Sequence, residues 1–215
     1  MQGMILPRSG SDSGRRPLTE QDLLRMRIGR RYWGVALAMI PDHLSHKAPL
    51  LKYVERLEEL RAQGTGLLLW GDNDGGKSAA AVAVLKEARR RGYTGLFVTA
   101  VSLREAYYNG EEYEPGVPVI RRAAEVDFLV IDDFGKEYQG KSDHHQRVLE
   151  DLIRRRSNDL KVTILTANPD PKTWAGEGYH SSLLRLLTGC MVNIQFQRYS
   201  WRAQEYRKAQ QLLGV

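Results

Sequence analysis

The 215-residue chain has one cysteine, Cys190. A single thiol excludes an internal disulfide and any zinc site built on paired cysteines, and it points to a reducing compartment. Long apolar runs are missing as well. None approaches the roughly 18 residues of a membrane span, and the opening MQGMILPRSGSDSGRRP lacks the apolar stretch of a signal peptide. A cytoplasmic protein with no membrane partner is the expectation. Low-complexity sequence is confined to PRSGSDSGRRP, residues 7–17, and no internal repeat is visible. With 42% apolar and 27% charged residues, the remainder is composed like a globular domain with an adequate core.

Charge is not strongly one-sided, since 32 Lys+Arg stand against 26 Asp+Glu for a formal +6. Its placement carries more information than its sum. Residues 1–31 carry +4, residues 181–215 carry +4, and the stretch between them is slightly acidic at −2. Basic ends fit a polyanionic partner, because neutralised phosphates release counterions. They also fit a solvated surface that maintains solubility.

Patterning divides the chain at residue 45. Residues 1–45 read as a basic flexible N-terminal arm with a short helix over 18–29, a possible partner-binding segment. Residues 46–215 read as the core. Leu50, Leu51, Val54, Leu57 and Leu60 recur at helical spacing over 46–63. Short continuous apolar runs follow at 65–70, 95–100, 127–131, 161–167 and 191–196, each fit for a strand buried on both faces. Helical patterns at 77–91, 101–109, 117–124 and 143–157 fall between them. Strands alternating with helices predict an α/β fold around a central five-stranded parallel sheet flanked by helices.

Directly after the first strand stands GDNDGGKS, comprising Gly71, Asp72, Asn73, Asp74, Gly75, Gly76, Lys77 and Ser78. It fits the pattern G-x-x-x-x-G-K-[ST]. In such a loop, glycines let backbone N–H groups curl around phosphate oxygens, the lysine neutralises charge and the hydroxyl ligates Mg²⁺. ATP with Mg²⁺ is therefore the expected cofactor pair, although a Gly turn capped by serine would use the same residues. Asp72 and Asp74 set two carboxylates beside the phosphate cradle and predict weak affinity unless they point elsewhere.

The run DFLVIDDFG delivers Asp132 and Asp133 to the C-terminal end of a buried strand, the ligand-binding edge of an open α/β sheet. Asp132 is the expected Mg²⁺ holder, and Asp133 the group that orients or deprotonates an attacking water. ILTANPD brings Asn168 to the same edge, where a neutral amide can hold that water; an Asn-Pro turn is the plainer account. Asp143, His144 and His145 are not expected to bind metal, since adjacent histidines on a helix point apart.

Taken in order, GDNDGGKS, FLVIDDFG, ILTAN, LLRLL and YSWR resemble the AAA+ ATPases of the DnaC/DnaI helicase-loader and IstB transposition-ATPase group, over roughly Gly64 to Arg202. The resemblance implies a P-loop AAA+ fold, ATP hydrolysis, and self-assembly through ATP-bearing interfaces. It implies a replicative helicase and single-stranded DNA as partners, or a transposase on the IstB side. By carry-over, Arg185 matches the arginine finger that reaches a neighbouring subunit's γ-phosphate, and Arg202 the sensor 2 arginine. Arg104, Tyr107, Tyr108, Arg121 and Arg122 fall where this group carries an additional helix lining a DNA channel, and their chemistry suits single strands. Asp74 departs from the glycine usual at its position, and Leu-Arg-Leu replaces the common Ser-Arg-Leu. Slow turnover is the consequence expected, with a nucleotide-binding adaptor lacking turnover as the rival. A metabolic P-loop kinase fits less well, as no second substrate pocket is legible. Only 13 residues follow Arg202, so little or no C-terminal lid is expected.

Overall fold

The computed structural model describes residues 15–135, 144–168, 170–174, 181–200, 206 and 210–213. Five strands, β1 (Gly66–Gly71), β2 (Gly95–Thr99), β5 (Phe128–Phe134), β6 (Val162–Ala167) and β7 (Met191–Phe196), form one sheet in the order β2-β5-β6-β1-β7. Every neighbouring pair in it is parallel. These are the five apolar runs. Alternate residues of each run enter opposite layers: Leu67, Leu69, Phe128 and Val130 pack on one face, Leu68, Leu129 and Ile131 on the other. A strand covered on both faces needs apolar side chains at consecutive positions, as in β1 and β5, whereas the edge strand β7 exposes Asn193 and Gln195.

The first layer contains α4 (Lys77–Arg90) with α1 (Glu20–Arg25) and α2 (Lys47–Glu55). On the opposite face lie α5 (Ala100–Asn109), α6 (Val119–Glu125), α7 (His144–Asn158) and α8 (Ser181–Cys190). The helix expected over 46–63 is two helices: α2 ends at Glu55, and α3 (Leu57–Ala62) begins after Arg56 at φ −97°, ψ 20°. A two-stranded antiparallel hairpin, β3 (Glu112–Glu114) with β4 (Val117–Pro118), interrupts the α5–α6 connection and was not anticipated. Its tight link is Pro115-Gly116, with Gly116 at φ 76°. Among the described residues no helix is long and apolar enough to cross a membrane.

The described part of the expected arm, residues 15–45, is folded onto the core. Leu23, Met26, Ile28, Leu37, Ile40 and Leu44 are buried in the same cluster as the α4 side chains. Thr19 caps α1 with a reciprocal capping box to Asp22, and the Phe97 amide donates to Met26 O at 2.8 Å. Asp22 receives two further bonds from Arg16 and two from Arg89 on α4, at 2.7–2.9 Å. These charge-assisted bonds, led by the Arg16 guanidinium, hold the Asp22 carboxyl far below the usual carboxylate range.

Arg156 on α7 is wholly buried. Its guanidinium donates to Ala123 O, Val126 O, Val162 O and Thr163 Oγ1 at 2.6–3.0 Å, tying the end of α6 to the starts of β5 and β6. Burial lowers its pKa to about 9. The fork of donors on arginine matches this divergent set of acceptors, which a lysine could not span.

Candidate nucleotide site

The phosphate-loop sequence folds as its composition requires. Gly71 closes β1 at φ 133°, and a Cβ there would stand 2.2 Å from Phe196 O, so only glycine allows β1 and β7 to stay paired. Gly76 precedes α4 at φ 86°, a left-handed conformation that turns the chain sharply into the helix. The first amides of this 14-residue helix have no carbonyl partner one turn earlier, and they face the loop's concavity with the positive end of the helix dipole. Lys77 is buried, and its ammonium donates to Gly71 O at 2.9 Å and Asp72 O at 2.6 Å. The loop thus wraps its own cation.

The two loop carboxylates part company. Asp72 is exposed and does not line the cleft. Asp74 lines it, in a left-handed conformation at φ 66°, and accepts a hydrogen bond from the Ser200 hydroxyl beyond β7.

At the end of β5 the register against β6 slips between Ile131 and Phe134, and Asp133 takes φ 57°. Such a bulge re-aims consecutive side chains that would otherwise point to opposite faces. The buried Thr166 of β6 holds it in place: its hydroxyl donates to Asp132 Oδ1 at 2.5 Å and accepts the Asp133 amide at 3.0 Å. Asn168 follows just past the end of β6. Asp132, Asp133, Asn168, Lys77 and Ser78 all line one cleft of about 410 Å³, together with Asn73, Asp74, Gly75 and Gly76. The Ser78 hydroxyl and the Asp132 carboxylate, which line the same cleft, are hard oxygen donors of the kind Mg²⁺ takes. The residues present therefore fit the metal.

The other half of this cleft is apolar and escaped the sequence reading. Arg31, Tyr32, Val35, Ala36, Met39 and Ile40 form its wall, facing Ala80 and Ala83 of α4. That wall is two 3-10 turns, Arg30–Tyr32 and Leu37–Met39, which have no helical or strand period to reveal them. The apolar density of YWGVALAMI was the available signal. At the floor, buried His46 stacks on Phe196 with ring centroids 4.0 Å apart and 17° between planes. Burial lowers the His46 pKa, in keeping with its place in an apolar wall.

The remaining sequence candidates fall into three sets. Arg185 is exposed on α8 and does not line the cleft of its own chain. Arg202 lies outside the described residues, as do Asp143 and the side chains of His144 and His145. Tyr107 and Tyr108 are exposed on α5 as a perpendicular pair 5.4 Å apart, while Arg122 of α6 stands over the Tyr113 ring at 5.3 Å. Arg121 is paired with Glu125 at 2.9 Å, and none of these residues, nor Arg104, reaches the cleft.

No protein-family model matches the sequence, and no curated protein does. Solved structures do match. The DnaC helicase loader superposes with a TM-score of 0.66 at 20% identity, covering 79% of this chain and 100% of that one. DnaI gives 0.67 at 19% identity, with 80% and 93% covered. The replication initiator DnaA bound to AMPPCP and single-stranded DNA gives 0.61 at 18% identity; 87% of this chain is covered but only 56% of that one, so the match spans about half of the initiator. The five-stranded parallel sheet and its flanking helices thus share the fold of the solved helicase loaders.

Proposed function

We propose that this chain binds ATP with Mg²⁺ and hydrolyses it slowly, and that the nucleotide controls its assembly with a replicative helicase on single-stranded DNA. The observation that carries this reading is the cleft in which a glycine-rich loop, two strand-end acids and a polar amide converge beside an apolar wall. In this reading the loop amides and Lys77 hold the β- and γ-phosphates. Ser78 and Asp132 hold the metal, which when bound neutralises charge on the phosphates. Asp133 orients and deprotonates the attacking water, Asn168 positions it, and the wall from Tyr32 to Ile40 encloses the base. Arg185, exposed and away from its own cleft, serves a neighbouring subunit's γ-phosphate, with Arg202 as the cis cation. Cationic clamps of this kind act on charge that develops in the transition state.

The likeness of fold to the helicase loaders, and to an initiator solved with single-stranded DNA, supports the replication role. Arg104, Tyr107, Tyr108, Arg121 and Arg122 are the candidate strand contacts. Asp74, a carboxylate in the cleft, favours a second reading in which the fold is an interaction module with little turnover. Phosphate release with and without single-stranded DNA separates the two: Lys77→Ala should abolish it, and release that persists in that variant would sink the mechanism. Capture of the cell's own replicative helicase that depends on ATP favours loading over regulation of a transposase.

A further inference from the structure

Lys86 lies in the Ala- and Val-rich stretch of α4, nine residues beyond Lys77, and is 2% exposed. An ammonium in that position is costly, and burial lowers its pKa to about 8. The reason for a lysine there is at its tip. Nζ donates to Trp33 O and to Val35 O, both at 2.6 Å. Those carbonyls belong to the link between the two 3-10 turns, and Val35, Ala36, Met39 and Ile40 of that link and the second turn line the apolar half of the cleft. Short 3-10 turns have little internal cohesion, so a wall made of them needs an anchor in a rigid element. α4 is that element, and its first two residues, Lys77 and Ser78, complete the phosphate loop. One helix therefore fixes both halves of the site, from points about 13 Å apart along its axis.

We propose that Lys86 is a positioning residue for the base-binding half of the cleft: its ammonium fixes the Trp33–Val35 backbone, so that affinity for the nucleoside part of a nucleotide depends on Lys86 while affinity for the polyphosphate part does not. This rests on the reading of the cleft as a nucleotide site. Lys86 itself does not line the cleft, and it acts only through the backbone it holds.

The test compares two ligands on the full chain, ATP and inorganic tripolyphosphate, each titrated by calorimetry against the wild type, Lys86→Met and Lys86→Gln. Lys86→Met keeps the length of the side chain and removes its donors; ATP affinity is expected to fall tenfold or more, with tripolyphosphate affinity within twofold of wild type. Turnover at saturating ATP should stay near wild type, so that the loss falls on KM. Lys86→Gln retains an amide donor at shorter reach and should fall between the two, and it carries the comparison alone if the Met variant does not fold. Equal weakening of both ligands, or unchanged ATP affinity, overturns the role of Lys86. A wild type that binds neither ligand overturns the nucleotide reading beneath it.

Discussion

The Thr166 hydroxyl donates a 2.5 Å hydrogen bond to Asp132 Oδ1 across the β5–β6 ladder, at the place where that ladder slips register. The same oxygen accepts the Asp133 amide, so one hydroxyl fixes both acids of the strand end. Its removal in Thr166→Val preserves shape but leaves a buried carboxylate oxygen and an amide without this partner, a loss of about 1–3 kcal/mol in stability. Asp132 would also lose the bond that orients its carboxylate in the cleft. Turnover should fall about 10- to 100-fold, on the scale of losing a group that orients a metal ligand, with a higher Mg²⁺ concentration needed for half-maximal rate. Thr166→Ser should stay near wild type. ATPase rates measured across a Mg²⁺ series decide it, and an unchanged Mg²⁺ requirement in the valine variant would refute the coupling.

Asp74 places a negative charge in the cleft and holds a left-handed backbone that glycine adopts without strain. Asp74→Gly relieves about 1 kcal/mol of backbone strain while losing the Ser200 hydrogen bond, so stability should change little. Nucleotide affinity should rise several-fold, because a carboxylate near polyphosphate is repulsive. Asp74→Asn separates charge from conformation: a gain that appears equally in both variants is electrostatic. Calorimetric titration with ATP reads the difference, and weaker binding by both variants would show that Asp74 assists the nucleotide.

What could be read from the sequence follows from how each feature is encoded. The inner sheet strands are legible because a strand buried on both faces is apolar at consecutive positions, as GLLLW and FLVI are. The phosphate loop and the acid pair are legible because their chemistry needs fixed residue types at fixed spacing. The break at Arg56 left no trace, since Leu57 and Leu60 continue the helical period across it without glycine or proline. The base-side wall lacks any period. Lys86 and Arg156 were unreadable for another reason: a cation in a helix is ordinarily solvated, and only the tertiary structure reveals the carbonyls that make burial tolerable. Thr166 was masked in the same way by a strand that would accept any β-branched residue.

Asp22 predicts how stability depends on acid. Its carboxyl pKa is lowered in the folded chain, first by the Arg16 hydrogen bond and also by Thr19 and Arg89. The folded state therefore favours the ionised form, and the contribution is complete above the unfolded value near 4. It is lost progressively as pH falls below that value toward the folded pKa. Asp22→Asn should cost about 2–3 kcal/mol at neutral pH and should flatten the acid limb of the stability curve. Thermal unfolding between pH 2 and pH 5 compares the two chains; parallel curves would show that other carboxylates govern acid stability.

Arg185 stands exposed on α8, away from the cleft of its own chain, which makes its proposed role a property of assemblies. Arg185→Ala should leave ATP binding by isolated subunits unchanged and reduce turnover by assemblies about a thousandfold or more, the range for loss of an arginine finger. Mixing supplies the sharper test. A Lys77→Ala subunit has a disabled cleft but an intact Arg185, and an Arg185→Ala subunit has the reverse. If Arg185 acts on the neighbour, interfaces that join the intact arginine of one variant to the intact cleft of the other recover activity, although each variant alone is inactive. If Arg185 acts within its own chain, no mixture can recover, because every subunit lacks one half of its own site.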